Sequence, residues 1–135
     1  MPNDPCEFDR ALVESALKAC QRSYAPYSEA VSGAAVLDSE GRIHIGCTVE
    51  VATYTGTVHA EQVAIAAALA AGAKRLLRIA VYPSQYPCGV CRQFMLEFNE
   101  QFVVVNDIDG KIVTAGLGDL MPNLFGRKTM QLPGL

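Results

Sequence analysis

No polybasic run, no membrane-length apolar run and no even ladder of cysteines occurs in this chain of 135 residues. Its 11 basic residues are scattered among 14 acidic ones, for a net charge of -3. That leaves no basic face for tight binding of nucleic acid or an anionic membrane. The longest apolar stretch, VAIAAALAAGA from Val63, is too short to span a bilayer. The opening MPNDPCEFDR carries acids where a secretory signal would be basic and then apolar, so a cytoplasmic protein with no membrane partner is expected. Five cysteines (Cys6, Cys20, Cys47, Cys88, Cys91) are an odd number at irregular spacing in a chain long enough to fold without them. Free thiols or metal ligands fit that pattern better than a disulfide framework. Histidine is scarcer still, with His44 and His59 alone.

What is present is apolar, since half the residues are hydrophobic, enough for one core and a single domain over 1–135. Asp4 as N-cap, Pro5 at the first helical position and Glu7 three residues after the cap predict the start of a first helix. Phe8, Leu12, Val13, Ala16, Leu17 and Cys20 then recur at helical spacing, and Pro26 is the expected stop. AVSGAAVL, DSEG and RIHIGCTVEV read as a hairpin. An Ala-rich helix from about Val58 to Ala71 ends at Gly72. LRIAVYP reads as a strand. RQFMLEFNEQ reads as a third helix with Phe94, Met95 and Phe98 inward. FVVVND and KIVTA give two more strands around IDG, and GDLMPNLFG a short helix or turn. Helices alternating with strands in mid-chain imply right-handed crossovers and helices covering one mixed sheet, a layered α/β domain.

Both unusual polar stretches fall at predicted helix starts: His59 and Glu61 before one helix, Cys88 and Cys91 before the next. Helix starts at one edge of a sheet can lie close together. A Cys-X-X-Cys turn offers two thiolates at a spacing suited to tetrahedral Zn2+, and the helix N-terminus favours their charge. His59 can be the third ligand. Three protein ligands leave one position open, as in catalytic zinc sites, where bound water has a pKa near 7. Glu61, beside the metal but not on it, can take that water's proton and pass it to a leaving group. His-X-Glu followed by Pro-Cys-X-X-Cys is the signature of zinc deaminases.

From Tyr24 to Gly126 the chain resembles the short-chain cytidine deaminases: YAPYS, GAAVL, GRIHIGCTVE, HAE, PCGVCRQ and LMPNLF occur in that family's order. The resemblance implies a three-layer α/β/α fold with a five-stranded mixed sheet. It also implies hydrolytic deamination of cytidine, deoxycytidine or a modified cytosine nucleoside, and a homotetramer whose subunits complete each other's sites. His59, Cys88 and Cys91 become zinc ligands and Glu61 the proton shuttle. Glu50 would hydrogen-bond the sugar, the backbone around Ala60 and Cys88 would read the base edge, and Phe125 would pack on the ligand from another subunit.

Three departures bear on the substrate. Thr48 and Val51 stand where relatives have asparagine, and Ala30 stands where an aromatic residue packs on the nucleoside. A wider pocket for a bulky or modified cytosine compound is the expectation, and YSEAVSGAAVL shares features with the blasticidin S deaminases. His59 and Gln62 replace the cysteine and arginine common in short-chain members. One histidine with two thiolates leaves the metal cluster neutral, so no arginine is needed to offset charge. Arg92 is the expected donor to a thiolate sulfur.

Other polar residues have ordinary readings. His44 and Cys47, three apart on a strand, face opposite sides. Cys6 and Cys20 read as core or half-buried thiols of the first helix, and Asp107 and Asp109 as turn acids. A thioredoxin-like dithiol would leave HAE unexplained, a tRNA adenosine deaminase would need a basic face, and a non-catalytic zinc protein would have no use for Glu61.

Overall fold

A computed structural model describes residues 4–83 and 86–130; both ends of the expected 1–135 domain lie outside these residues. The elements are α1 (Asp9–Cys20), β1 (Gly33–Asp38), β2 (Ile43–Cys47), α2 (Ala60–Ala70), β3 (Leu76–Tyr82), α3 (Gly89–Phe98), β4 (Val103–Ile108), β5 (Lys111–Gly116), α4 (Leu117–Leu120) and α5 (Arg127–Met130). The strands form one sheet in the order β2-β1-β3-β4-β5. β3 and β4 run parallel, and the other neighbours are antiparallel.

Alternation along β1 divides the core. Ala35 and Leu37 face α1, packing with Leu12, Ala16 and Ala80. Ala34 and Val36 face the opposite side, with Ala64 and Ile65 of α2 and Met95 of α3. The layering is therefore α/β/α, as the resemblance implies. Two glycines let the helices press directly on the hairpin. A Cβ on Gly33 would lie 2.1 Å from the Ala16 carbonyl oxygen, and one on Gly46 would lie 2.3 Å from the Ala64 amide nitrogen.

The first helix begins later than expected. Asp4 is not its cap; the helix starts at Asp9, whose carboxylate accepts the Cys6 N–H (2.8 Å) and a forked pair of bonds from Arg78 (2.8 Å each). A buried acid tied to β3 thus sets the helix start in place of an exposed capping box. The helix ends at Cys20, well before Pro26. Cys6 consequently lies outside α1 and is exposed, whereas Cys20 is buried. Leu17 is exposed and Ala19 takes its place inside. On α3 the buried residues are Cys91, Met95 and Leu96; Phe94 packs half-buried against the same core as expected, whereas Phe98 is exposed, its ring tilted against that of Phe94. The C-terminal segment holds two short helices where one helix or turn was expected.

His44 and Cys47 take ordinary roles, as expected. Cys47 Sγ lies 3.5 Å from the Arg22 carbonyl, and His44 Nε2 lies 2.8 Å from Asp38 Oδ2. Asp38 is buried at the end of β1 and also accepts bonds from the Glu40 and Arg42 amides and from Arg42 Nε. Burial alone would raise its pKa. The bond with His44, the Arg42 and Glu40 amides and the Arg42 side chain outweigh burial and hold the carboxyl well below the usual range. Its folded pKa is thus below its unfolded value of about 3.9. The stability it contributes is present above that value and is lost as pH falls through the folded one. Urea midpoints should therefore decline below about pH 4, and the decline should be shallower in Asp38→Asn; parallel declines would remove Asp38 from the acid response.

Candidate active site

One end of the sheet gathers the start of β1, the end of β2 and the end of β3, because Gly33 pairs with both Cys47 and Tyr82. The segments that continue from these ends form the site. Val49, just after β2, bridges to Tyr24 on one side and Val58 on the other. The Val49 and Val58 amides exchange bonds of 3.0 and 2.8 Å, and the Glu50 amide donates to the Tyr24 carbonyl at 2.7 Å. This three-stranded ribbon carries the chain directly into His59.

His59 is the N-cap of α2 and Cys88 the N-cap of α3. Gln62 Oε1 accepts the His59 backbone N–H at 3.0 Å, so Gln62 fixes the histidine's backbone. Gly46 allows the start of α2 to sit against β2, and Ala60, first in the helix, is fully buried in the core. Glu61 is also buried.

The two helix starts bring His59, Cys88 and Cys91 together, with all three potential ligand atoms within 4.8 Å of one another. His59 Nδ1 lies 3.2 Å from Cys91 Sγ and 3.4 Å from Cys88 Sγ. Ligands around tetrahedral zinc, bonded at about 2.0–2.3 Å, stand roughly 3.5–4 Å apart, so the trio needs only small adjustments to hold the ion. The donor chemistry, one imidazole nitrogen and two sulfurs, also fits zinc. Burial, then the Glu61 carboxylate and Cys88, push the Cys91 thiol far above its ordinary pKa. A divalent cation among the three reverses that balance, because a coordinating thiol is deprotonated.

A cavity of about 290 Å³ opens beside this cluster. His59, Glu61, Tyr86 and Cys88 line it together with Ser28, Ala30, Ser32, Thr48, Glu50 and Thr57. A larger hollow, about 650 Å³, lies at the other end of the sheet beside Arg75 and Asp119 and includes none of these groups. Glu50 Oε1 accepts the amides of Tyr27 (2.7 Å) and Ser28 (2.9 Å), and Oε2 accepts the Ser28 hydroxyl. The Ser28 hydroxyl and then these amides hold the carboxyl below its ordinary pKa against the effect of burial. A carboxylate has about four lone-pair sites, so Glu50 retains capacity for one further donor. Thr48 Oγ1 shares a 2.7 Å bond with Ser32 Oγ.

Several expected residues sit elsewhere. Val51 is exposed and outside the cavity lining, its amide bonded to Thr57 Oγ1 at 3.3 Å. Arg92 donates to the Pro87 and Leu120 carbonyls (2.7 and 2.9 Å) instead of to a sulfur, tying the turn before α3 to α4. Phe125 is 56% exposed and does not line the cavity of its own chain; Gln93 holds its carbonyl at 2.8 Å. Ser28, Ser32, Thr57 and Tyr86 escaped the sequence reading. Small hydroxyl residues on loops give no periodic signal; for Tyr86 the available signal is an aromatic residue two positions before Cys88 in a polar turn.

Comparison with known proteins agrees with this geometry. The family described as the cytidine and deoxycytidylate deaminase zinc-binding region matches residues 6–106. A cytidine deaminase of Mycobacterium tuberculosis is 37% identical over 116 residues, covering 83% of this chain and 85% of that protein. The crystal structure of a cytidine deaminase from Burkholderia pseudomallei superposes with a TM-score of 0.78 at 38% identity, covering 86% of this chain and 98% of the other. One from M. tuberculosis gives 0.81 at 34% identity, with coverage of 90% and 99%. With its His-X-Glu and Cys-X-X-Cys segments converging on one metal-competent cluster, the chain belongs to the zinc-dependent cytidine and deoxycytidylate deaminase family.

Proposed function

We propose that this enzyme hydrolyses the 4-amino group of a cytosine nucleoside, with cytidine and deoxycytidine as first candidates. The observation that carries the reading is Glu61, buried beside the His59, Cys88 and Cys91 cluster and lining the same cavity as Glu50. Zinc held by those three residues supplies the Lewis acidity that makes water acidic near neutral pH.

Glu61 accepts a proton from the attacking water and delivers it to N3 of the ring, then transfers a second proton to the departing nitrogen. Water oxygen adds at C4, the C4–N bond breaks, and the products are the uracil nucleoside and ammonia. Burial of Glu61 keeps its proton transfers out of bulk solvent. Ala60, at the first position of α2, has an amide with no acceptor within its own helix, so this N–H and the backbone at Cys88 can read the base edge. Glu50 accepts one sugar hydroxyl, and the Thr48–Ser32 hydroxyl pair contacts the sugar alongside it.

The deaminase relatives and family match favour this reading over a dithiol redox protein or a blasticidin-type enzyme. Exposed Phe125 would complete a neighbour's site within a homotetramer. Among the described residues no helix is long and apolar enough to cross a membrane, and a cytoplasmic nucleoside salvage enzyme is the matching setting.

An ultraviolet assay of zinc-loaded protein across cytidine, deoxycytidine, N4-substituted cytidines and free cytosine tests the reading. Turnover of the nucleosides supports it, and inactivity toward the whole panel would refute it. Ala30 lines the cavity with only a methyl group. Ala30→Phe is expected to shift kcat/KM toward unmodified cytidine over N4-substituted analogues by roughly tenfold; an unchanged ratio would show that Ala30 does not set pocket size.

A further inference from the structure

The cavity lining is mostly polar: a carboxylate and hydroxyls from Ser28, Ser32, Thr48 and Glu50, together with His59, Glu61 and Cys88. A pyrimidine ring has two flat faces that polar groups of this kind satisfy poorly, and Ala30 offers only a methyl group. Tyr86 is the one large side chain with an extended apolar face on the lining.

Its surroundings leave that face available. Tyr86 is 43% exposed although it lines a cavity. Among the described residues, the aromatic pairs are Tyr27 with Tyr54 and Phe94 with Phe98, so no aromatic neighbour covers it. It stands two residues before Cys88, which caps α3, and is therefore placed by the turn that delivers the metal donors. The sugar-facing groups come from different segments, 28–32 and 48–50.

We infer that Tyr86 is a substrate-binding residue whose ring packs against the face of the pyrimidine, supplying from the α3 side the aromatic contact that Ala30 does not provide. This rests on the cytosine-nucleoside reading above. A contact with the ring face is blind to the sugar and to the exocyclic nitrogen. It forms with substrate and product alike, so it governs affinity more than the chemical step.

The test compares zinc-loaded wild type, Tyr86→Phe and Tyr86→Leu, with uridine as a non-reacting probe. Tyr86→Leu is expected to weaken uridine binding by calorimetry, and to raise KM for cytidine and deoxycytidine alike, by roughly 5- to 100-fold, with kcat and zinc content little changed. Tyr86→Phe keeps the ring and should stay near wild-type affinity. Because the chain has no tryptophan and five tyrosines, tyrosine emission gives a second readout. Uridine should quench it in wild type and much less in Tyr86→Phe, and this comparison decides alone if Tyr86→Leu fails to fold or to hold zinc.

Unchanged uridine affinity in Tyr86→Leu, equal losses in both variants, or quenching that survives in Tyr86→Phe would overturn the proposal. Wild-type protein that turns over no cytosine nucleoside would refute the deaminase reading, while the uridine titrations would still decide the ring contact.

Discussion

Glu61→Gln should fold, bind one zinc ion and lose roughly 10²- to 10⁴-fold in kcat. The two side chains have nearly the same shape, so the packing at the start of α2 is preserved. The amide cannot accept a proton from water or return one to the ring and the leaving nitrogen. His59, Cys88 and Cys91 should remain in place: Gln62 holds the histidine's backbone, the two cysteines belong to α3 and its cap, and a glutamine at 61 keeps a polar side chain of the same reach beside Cys91. Zinc content by metal analysis and turnover by the ultraviolet assay separate the two effects. Loss of zinc together with activity would give Glu61 a structural role, and near-normal turnover would remove it from the mechanism.

Gly46→Ala should be severely damaging although it lies outside the reacting groups, costing about 3 kcal/mol or more by displacing backbone in a packed interface. The new methyl group would lie 2.3 Å from the Ala64 amide nitrogen and 2.5 Å from the Ala60 carbonyl oxygen. Neither atom belongs to a flexible side chain, so α2 must move away from β2 as a unit. His59 and Glu61 ride on the first turn of that helix. Even the fraction that stays folded should therefore hold zinc weakly and turn over slowly. Urea unfolding together with zinc titration would check both consequences. Wild-type stability with full zinc occupancy would mean that the helix has room the geometry denies it.

The metal-competent trio and the place of Glu61 beside it were legible in the sequence because they are local. His59 with Glu61 and Cys88 with Cys91 each sit within a few residues at a helix start, where capping and metal spacing leave a strong signature. The strands were legible for the same reason, since alternation and turn residues mark each one over a short window. The start of α1 was not, because its determinant is Asp9 paired to Arg78 69 residues away, and an exposed capping pattern at Asp4 offered a plausible local substitute. The role of Arg92 was hidden likewise, because its acceptors are the Pro87 carbonyl and the carbonyl of Leu120, 28 residues on. The hydroxyl groups of the cavity wall converge only after the ribbon through Val49 forms. No periodicity announces a serine that will meet a threonine 16 residues later.

The two parts of the site are anchored in different ways. The metal-competent trio and Glu61 stand on helix starts backed by buried residues such as Ala60 and Ala64, whereas the groups proposed to face the sugar stand on connections secured by a few hydrogen bonds of Ser28, Ser32, Thr48 and Glu50. The enzyme is thus built as a fixed reaction head inside an exchangeable collar. If the collar faces the sugar as proposed, substitutions there should alter which nucleoside is admitted while leaving the helix-borne head and its metal donors in place.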